Sequence, residues 1–216
     1  MKVVVLAATG QAGRTILSEL ILRGHEVTAV ARAPSKLPNS IHTIQDDLSN
    51  VDRIAKIIKG ADVVVSAFGP PKNDPRFFSD ESYTDELARV TEREIAAVQK
   101  ADVPRLIMVG GAGSLLFSPD VTVLKSGHWP EHLVPIAVSH TKAFAALRAS
   151  EINWTYFSPP MFIEPGVRTG KFRLGGDDLI IDDNGKAWVS FEDYAIALVD
   201  EIETPKYERS RFTIGY

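Results

Sequence analysis

Lys2-Val3-Val4-Val5-Leu6-Ala7-Ala8-Thr9-Gly10-Gln11-Ala12-Gly13 is an apolar run that breaks into a glycine-rich turn. Six apolar or aliphatic-stemmed residues in a row suit a strand buried on both faces of a parallel sheet. The residues after Gly13 change period. Ile16, Leu17, Leu20 and Ile21 share one helical face, and Gly24 stands where a helix C-cap belongs. Strand, glycine loop and helix in that order form a phosphate-binding unit. Gly10 permits close approach of a diphosphate to the backbone, Gly13 permits close helix–strand packing, and the free amides of the helix start face the anion. Ala8, Thr9, Gly10, Gln11, Ala12 and Gly13 are therefore candidate cofactor-binding residues. No Gly-Lys-Ser/Thr follows, which disfavours a Walker-type ATP site.

The same alternation continues along the chain. Strands are expected at Glu26–Ala31, Ile41–Ile44, Ala61–Ala67, Arg105–Val109 and Trp154–Ser158, with a last one at Arg211–Gly215. Helices are expected at Val51–Lys59, Glu81–Lys100 and Ile136–Ser150, with another opened by a Ser190 cap. Asn184-Gly185 predicts a hairpin with both turn residues at positive φ. The order implies an α/β Rossmann-type fold, a doubly wound parallel sheet with right-handed crossovers. One domain is expected over 1–216, with about 161–190 as a small C-terminal cap on the substrate side.

Composition bounds the function. The chain has 216 residues, a formal charge of −4 and no cysteine. This removes thiolate chemistry and disulfides and points to a reducing, cytoplasmic setting. No basic run suggests nucleic acid or a membrane surface, and no run of about 18 apolar residues suggests a span. A small-molecule partner and a monomer or homodimer are expected. His128 and His132 stand four apart, but Pro130 between them disrupts the helix a metal site would need, so no metal is assigned. With Phe117 and Trp129, that loop reads better as a wall of a substrate pocket.

The end of the second strand reads Val30-Ala31-Arg32-Ala33-Pro34-Ser35-Lys36. An acid there would hold the ribose 2′-hydroxyl of NAD, and none is present. Arg32 offers a planar fork for a 2′-phosphate, with Ser35 and Lys36 as auxiliary donors, which favours NADP(H) over NAD(H). Asp47 and Leu48 follow the third strand, either beside the adenine or as a turn that only caps the next helix. Ala67, Phe68 and Gly69 follow the fourth strand, where the nicotinamide-side ribose would pass. Gly110 and Gly111 follow the fifth strand.

At these residues the chain resembles the atypical short-chain dehydrogenases/reductases, in particular the NAD(P)H-binding group called NADH-flavin reductase-like. It is also similar to flavin reductase/biliverdin reductase of the beta type. The resemblance is carried by Ala8–Gly13, by Val109-Gly110-Gly111-Ala112-Gly113-Ser114-Leu115 and by Trp154–Pro160. Further along it is carried by Arg168–Asp177, Ser190–Ala195 and Arg211–Tyr216. It implies that Pro159, Met161 and Phe162 form a lid over the nicotinamide; read from the residues alone, they are equally ordinary core. One departure stands out. Ala7 replaces the first glycine of the loop, which a methyl group tolerates only at negative φ.

Short-chain reductases usually carry Tyr-x-x-x-Lys, in which lysine eases proton donation by tyrosine. None of the tyrosines at 83, 156, 194, 207 and 216 has lysine four residues on. Ser114, His140 and Lys142 remain as candidate catalytic groups. A conjugated acceptor needs less help, because its own electronics carry the reaction. The expected function is NADPH-dependent reduction of a diffusing flavin, quinone or similar acceptor, with flavin only as a substrate. The alternative is a non-catalytic redox sensor similar to NmrA-like regulators. An epimerase or dehydratase is weaker, since that chemistry needs the tyrosine and a larger sugar-nucleotide domain.

Overall fold

The computed structural model describes residues 1–216. The strands are β1 Lys2–Leu6, β2 Glu26–Ala31, β3 His42–Gln45, β4 Val63–Ser66, β5 Leu106–Val109 and β6 Leu116–Ser118. They continue as β7 Val121–Thr122, β8 Trp154–Ser158, β9 Phe162–Glu164, β10 Arg173–Gly175, β11 Trp188–Ser190 and β12 Ser210–Gly215. The helices are α1 Gln11–Leu22, α2 Val51–Ile58, α3 Glu81–Thr84, α4 Glu86–Ala101, α5 Val134–Ala149 and α6 Phe191–Glu203.

Eight strands form one sheet in the order β10-β12-β8-β5-β4-β1-β2-β3, parallel except for β10. Val5 pairs with Ala29 on one side and Val65 on the other, so the strand order reverses between β1 and β4. Ligands of such sheets sit beyond the carboxyl ends of the strands at that crevice. Both faces are covered. Ile16 and Leu20 of α1 pack with Leu198 and Ile202 of α6 on one face. Ile54 of α2, Val98 of α4 and Leu147 of α5 pack on the other. This double cover is why β1 and β4 are apolar at nearly every position and every residue of β8 is buried.

Local chemistry sets the helix ends. Asn50 caps α2 by accepting from the Arg53 N–H, and the Ser190 hydroxyl accepts from the Asp193 N–H at 3.0 Å to cap α6. Gly24 and Gly60 close α1 and α2 at φ +78 and +80.

Three expectations are corrected. The helix expected over Glu81–Lys100 is two pieces, α3 and α4, meeting at Asp85. The hairpin at Asn184-Gly185 is a loop between Ile181 and Lys186 with one positive φ, at Gly185. The Asp182 carboxylate accepts from the amides of Asn184 and Lys186 and so shapes that turn itself. β11 then pairs parallel with β9. Finally, β10 was not foreseen, because its three half-exposed residues lack strand patterning.

Candidate functional site

A cavity of about 620 Å³ opens over the carboxyl ends of β1, β2, β4, β5 and β8. Its floor begins at the loop Ala7–Ala12. Gly10 is the N-cap of α1 and offers no side-chain cap. The amides of Gln11, Ala12 and Gly13 have no hydrogen-bond acceptor within the protein. Unsatisfied N–H groups at a helix start suit an anion such as a diphosphate, and Gln11 and Ala12 line the cavity. Gly13 does not line the cavity. A Cβ there would lie 2.9 Å from the Ala7 carbonyl oxygen and from the Ala8 Cα, so it serves the close packing expected of it. Ala8 is also corrected. It is fully buried, and its amide donates to the Val30 carbonyl at 3.0 Å.

Ala7 overturns the expected negative φ. It sits in the left-handed region at φ 56, with its carbonyl accepting from the Gly10 amide at 3.3 Å. The loop keeps the conformation a glycine would adopt and carries the strain of a methyl group.

Arg32, at the end of β2, lines the cavity and also a side cleft of about 300 Å³ with Pro71, Arg76 and Tyr83. Its guanidinium makes no hydrogen bond or ion pair, whereas Arg76 pairs with Asp74 and Arg89 with Glu86. Ser35 and Lys36 are exposed on a turn outside the cavity lining. Asp47 and Leu48 line the cavity wall beyond β3. Hydrogen bonds from Ser49 hold the Asp47 carboxyl below its ordinary range. The neighbouring Asp46 is buried in an ion pair with Arg53. Ala67, Phe68 and Gly69 line the cavity after β4, as expected of that position.

The far end is built by Gly110 and Gly111 after β5, by Pro159 and Met161 after β8, and by Trp129 and His140. Side chains at the two glycines would collide. A Cβ on Gly110 falls 2.5 Å from the Tyr156 ring, and one on Gly111 falls 2.7 Å from the His140 imidazole. The His140 ring forms part of the wall. Burial, with Lys72 nearby, lowers its pKa to about 4, so it is neutral at pH 7.

Other candidates lie elsewhere. The Ser114 hydroxyl accepts from Arg211 at 2.8 Å and is outside the lining. Lys142 is 48% exposed and pairs with Asp85 at 2.7 Å. Phe162 is 46% exposed on β9 and points away, while Ile163 takes the inward position. Phe117 packs against His128 in a tilted arrangement, centroids 4.8 Å apart, outside the lining. Sequence reading missed Tyr156, which holds Gly111 and His140 in place. A tyrosine within a fully buried strand must find a partner for its hydroxyl, and that was the available signal.

Fold and cavity together define a Rossmann-type dinucleotide protein, and the comparisons narrow the class. Residues 7–205 match the model of the family described as NAD(P)H-binding, and the chain belongs to that family. The uncharacterized protein YwnB of Bacillus subtilis (strain 168) is 35% identical over 99% of this chain and 98% of its own length. A solved structure from Bacteroides thetaiotaomicron, called a "putative epimerase", is 40% identical with a TM-score of 0.89. It covers 100% of this chain and 96% of that one. SP1627 of Streptococcus pneumoniae TIGR4, called a "putative NADH-flavin reductase", is 31% identical with a TM-score of 0.85, covering 100% and 99%. The fold is thus that of NAD(P)H-binding, oxidoreductase-like proteins. No helix is long and apolar enough to cross a membrane.

Proposed function

We propose that this protein binds NADP(H) in preference to NAD(H) and reduces a diffusing flavin or similar conjugated acceptor. When bound, the reduced nicotinamide supplies a hydride, and the protein supplies binding, orientation and shelter. The observation that carries the reading is the continuity of one cavity. It runs from the unpaired Arg32 past the unsatisfied amides of α1 to the apolar pocket at Trp129 and Met161. Arg32 would hold the 2′-phosphate, and its freedom from any internal ion pair leaves the whole fork for that role. Ala67–Gly69, Gly110 and Pro159 would flank the sugar and ring. Trp129, Leu133 and Ile136 give that end of the cavity an apolar wall suited to a second ring system.

The absence of Tyr-x-x-x-Lys suits an acceptor that takes its proton from solvent. With Ser114 and Lys142 engaged elsewhere, His140 is the one candidate group left at the cavity. The likeness to the pneumococcal protein named for NADH-flavin reduction supports the acceptor class. The test is NADPH consumption with FMN, FAD, riboflavin and quinones in turn. Turnover with at least one of these is expected. Tight coenzyme binding with no acceptor consumed would instead mark a redox sensor.

A further inference from the structure

Three atoms surround the Tyr156 hydroxyl. The Gly111 amide nitrogen is 3.0 Å away, the His140 carbonyl oxygen 3.2 Å and the His140 Nδ1 3.3 Å. A phenol has one proton and two lone pairs. The amide can only donate and the carbonyl can only accept. The carbonyl and a bare Nδ1 compete for the single hydroxyl proton; the arrangement that turns all three contacts into hydrogen bonds sends it to the carbonyl, while one lone pair receives the Gly111 N–H. The remaining lone pair faces Nδ1, which makes a third hydrogen bond only if Nδ1 carries a proton. A neutral imidazole has a single N–H, so in that three-bond arrangement Nε2 is bare.

Nε2 has no partner in the protein and is not among the enclosed polar atoms, so it opens to the cavity that the ring lines. The ring is held there. It presses on the Gly111 backbone so closely that a Cβ would fall 2.7 Å from its Cγ. Burial keeps it neutral.

We infer that His140 offers a lone pair, not a proton, to the cavity, and that Nε2 recognises an N–H donor on the acceptor substrate. His140 packs on Gly111 beyond β5, and β4 separates that strand from β1 and β2, whose ends carry the Gly10 loop and Arg32. It therefore faces the second ring system rather than the phosphates. An isoalloxazine carries an imide N–H, and a simple quinone carries none. The geometry selects flavins over quinones. The ligand assignment rests on the reductase reading, but the tautomer does not. Tyr156 is a positioning residue, since it touches His140 and lies fully buried in β8.

Two measurements on the full chain test this separately. In ¹⁵N-histidine spectra at neutral pH, His140 should show protonated Nδ1 and unprotonated Nε2. Tyr156→Phe should move the population towards protonated Nε2, a change that loss of packing alone does not produce. A protonated Nε2 in the wild type overturns the inference. In fluorescence titrations with NADP⁺ present, N3-methylriboflavin should bind about tenfold more weakly than riboflavin. His140→Ala should erase that difference. Equal affinities in the wild type, or binding of neither flavin, overturn the ligand assignment whatever the tautomer. Failure of every acceptor to support NADPH oxidation, alongside the expected binding difference, would count against the reductase reading alone.

Discussion

A Cβ on Gly13 would lie 2.9 Å from the carbonyl oxygen of Ala7, and Ala7 itself is in the left-handed region at φ 56. The two residues hold each other in the turn between β1 and α1, one by lacking a side chain and the other in spite of having one. Left-handed backbone costs an L-residue roughly 1–2 kcal/mol, and the added freedom of glycine in the unfolded chain offsets part of it. Ala7→Gly should therefore stabilise the fold by about 0.5–1 kcal/mol in urea unfolding. Gly13→Ala meets backbone rather than a flexible side chain, so it should cost about 1–3 kcal/mol and weaken coenzyme binding. A destabilised Ala7→Gly variant would contradict the strain account.

Arg32 gives the specificity prediction. Charge-assisted hydrogen bonds to a phosphate are each worth about 1.5–3 kcal/mol. Arg32→Glu should weaken NADPH binding by about 10- to 100-fold, while NADH affinity changes by less than about threefold. Equal losses for both coenzymes would remove Arg32 from that role.

Glu94 of α4 is fully buried behind the cavity floor. One carboxyl oxygen accepts from the Ser66 hydroxyl at 2.8 Å, and the other has no partner. Burial raises its pKa from 4.5 to about 8. Below the lower value both the folded and the unfolded chain hold the proton. Between the two, the unfolded chain releases it and the folded chain does not, so stability falls as pH rises. Glu94→Gln should remove that fall and stabilise the protein by roughly 2 kcal/mol at pH 7. Urea unfolding at pH 5 and pH 8 checks this. Parallel pH profiles for the wild type and the variant would show that Glu94 is ionised in the fold.

Arg105 and Glu201 form an ion pair with 4% and 3% exposure. Arg105 also donates to the Glu201 carbonyl at 2.9 Å and the Thr155 hydroxyl at 2.8 Å, tying β5 and β8 to α6. Removing one partner strands a buried charge. Glu201→Ala should cost about 3–5 kcal/mol, and the double variant Arg105→Met/Glu201→Leu should recover most of it. Thermal unfolding of the single and double variants decides the point, and additive losses would contradict it.

The fold was legible because period and punctuation agree. Val3–Leu6 and Val63–Val65 are buried on both faces, and Gly24 and Gly60 take the positive φ expected of helix closers. The strand–turn–helix form of the glycine loop was legible for the same reason. The far end of the cavity was not. Ser114 and Lys142 are near the site in sequence, but Arg211 and Asp85, distant along the chain, draw them away. Phe162 missed by one residue of strand alternation, since β9 turns Ile163 inward. The Tyr156–His140 contact joins β8 to α5, a pairing that only the tertiary fold creates.

Calorimetric titration of the ligand-free protein with NADPH and NADH tests the central claim most directly. Saturable binding of NADPH, tighter than NADH by about tenfold or more, is the predicted result. Absence of heat and of saturation with both coenzymes would contradict the assignment of the α1 amides as a diphosphate cradle.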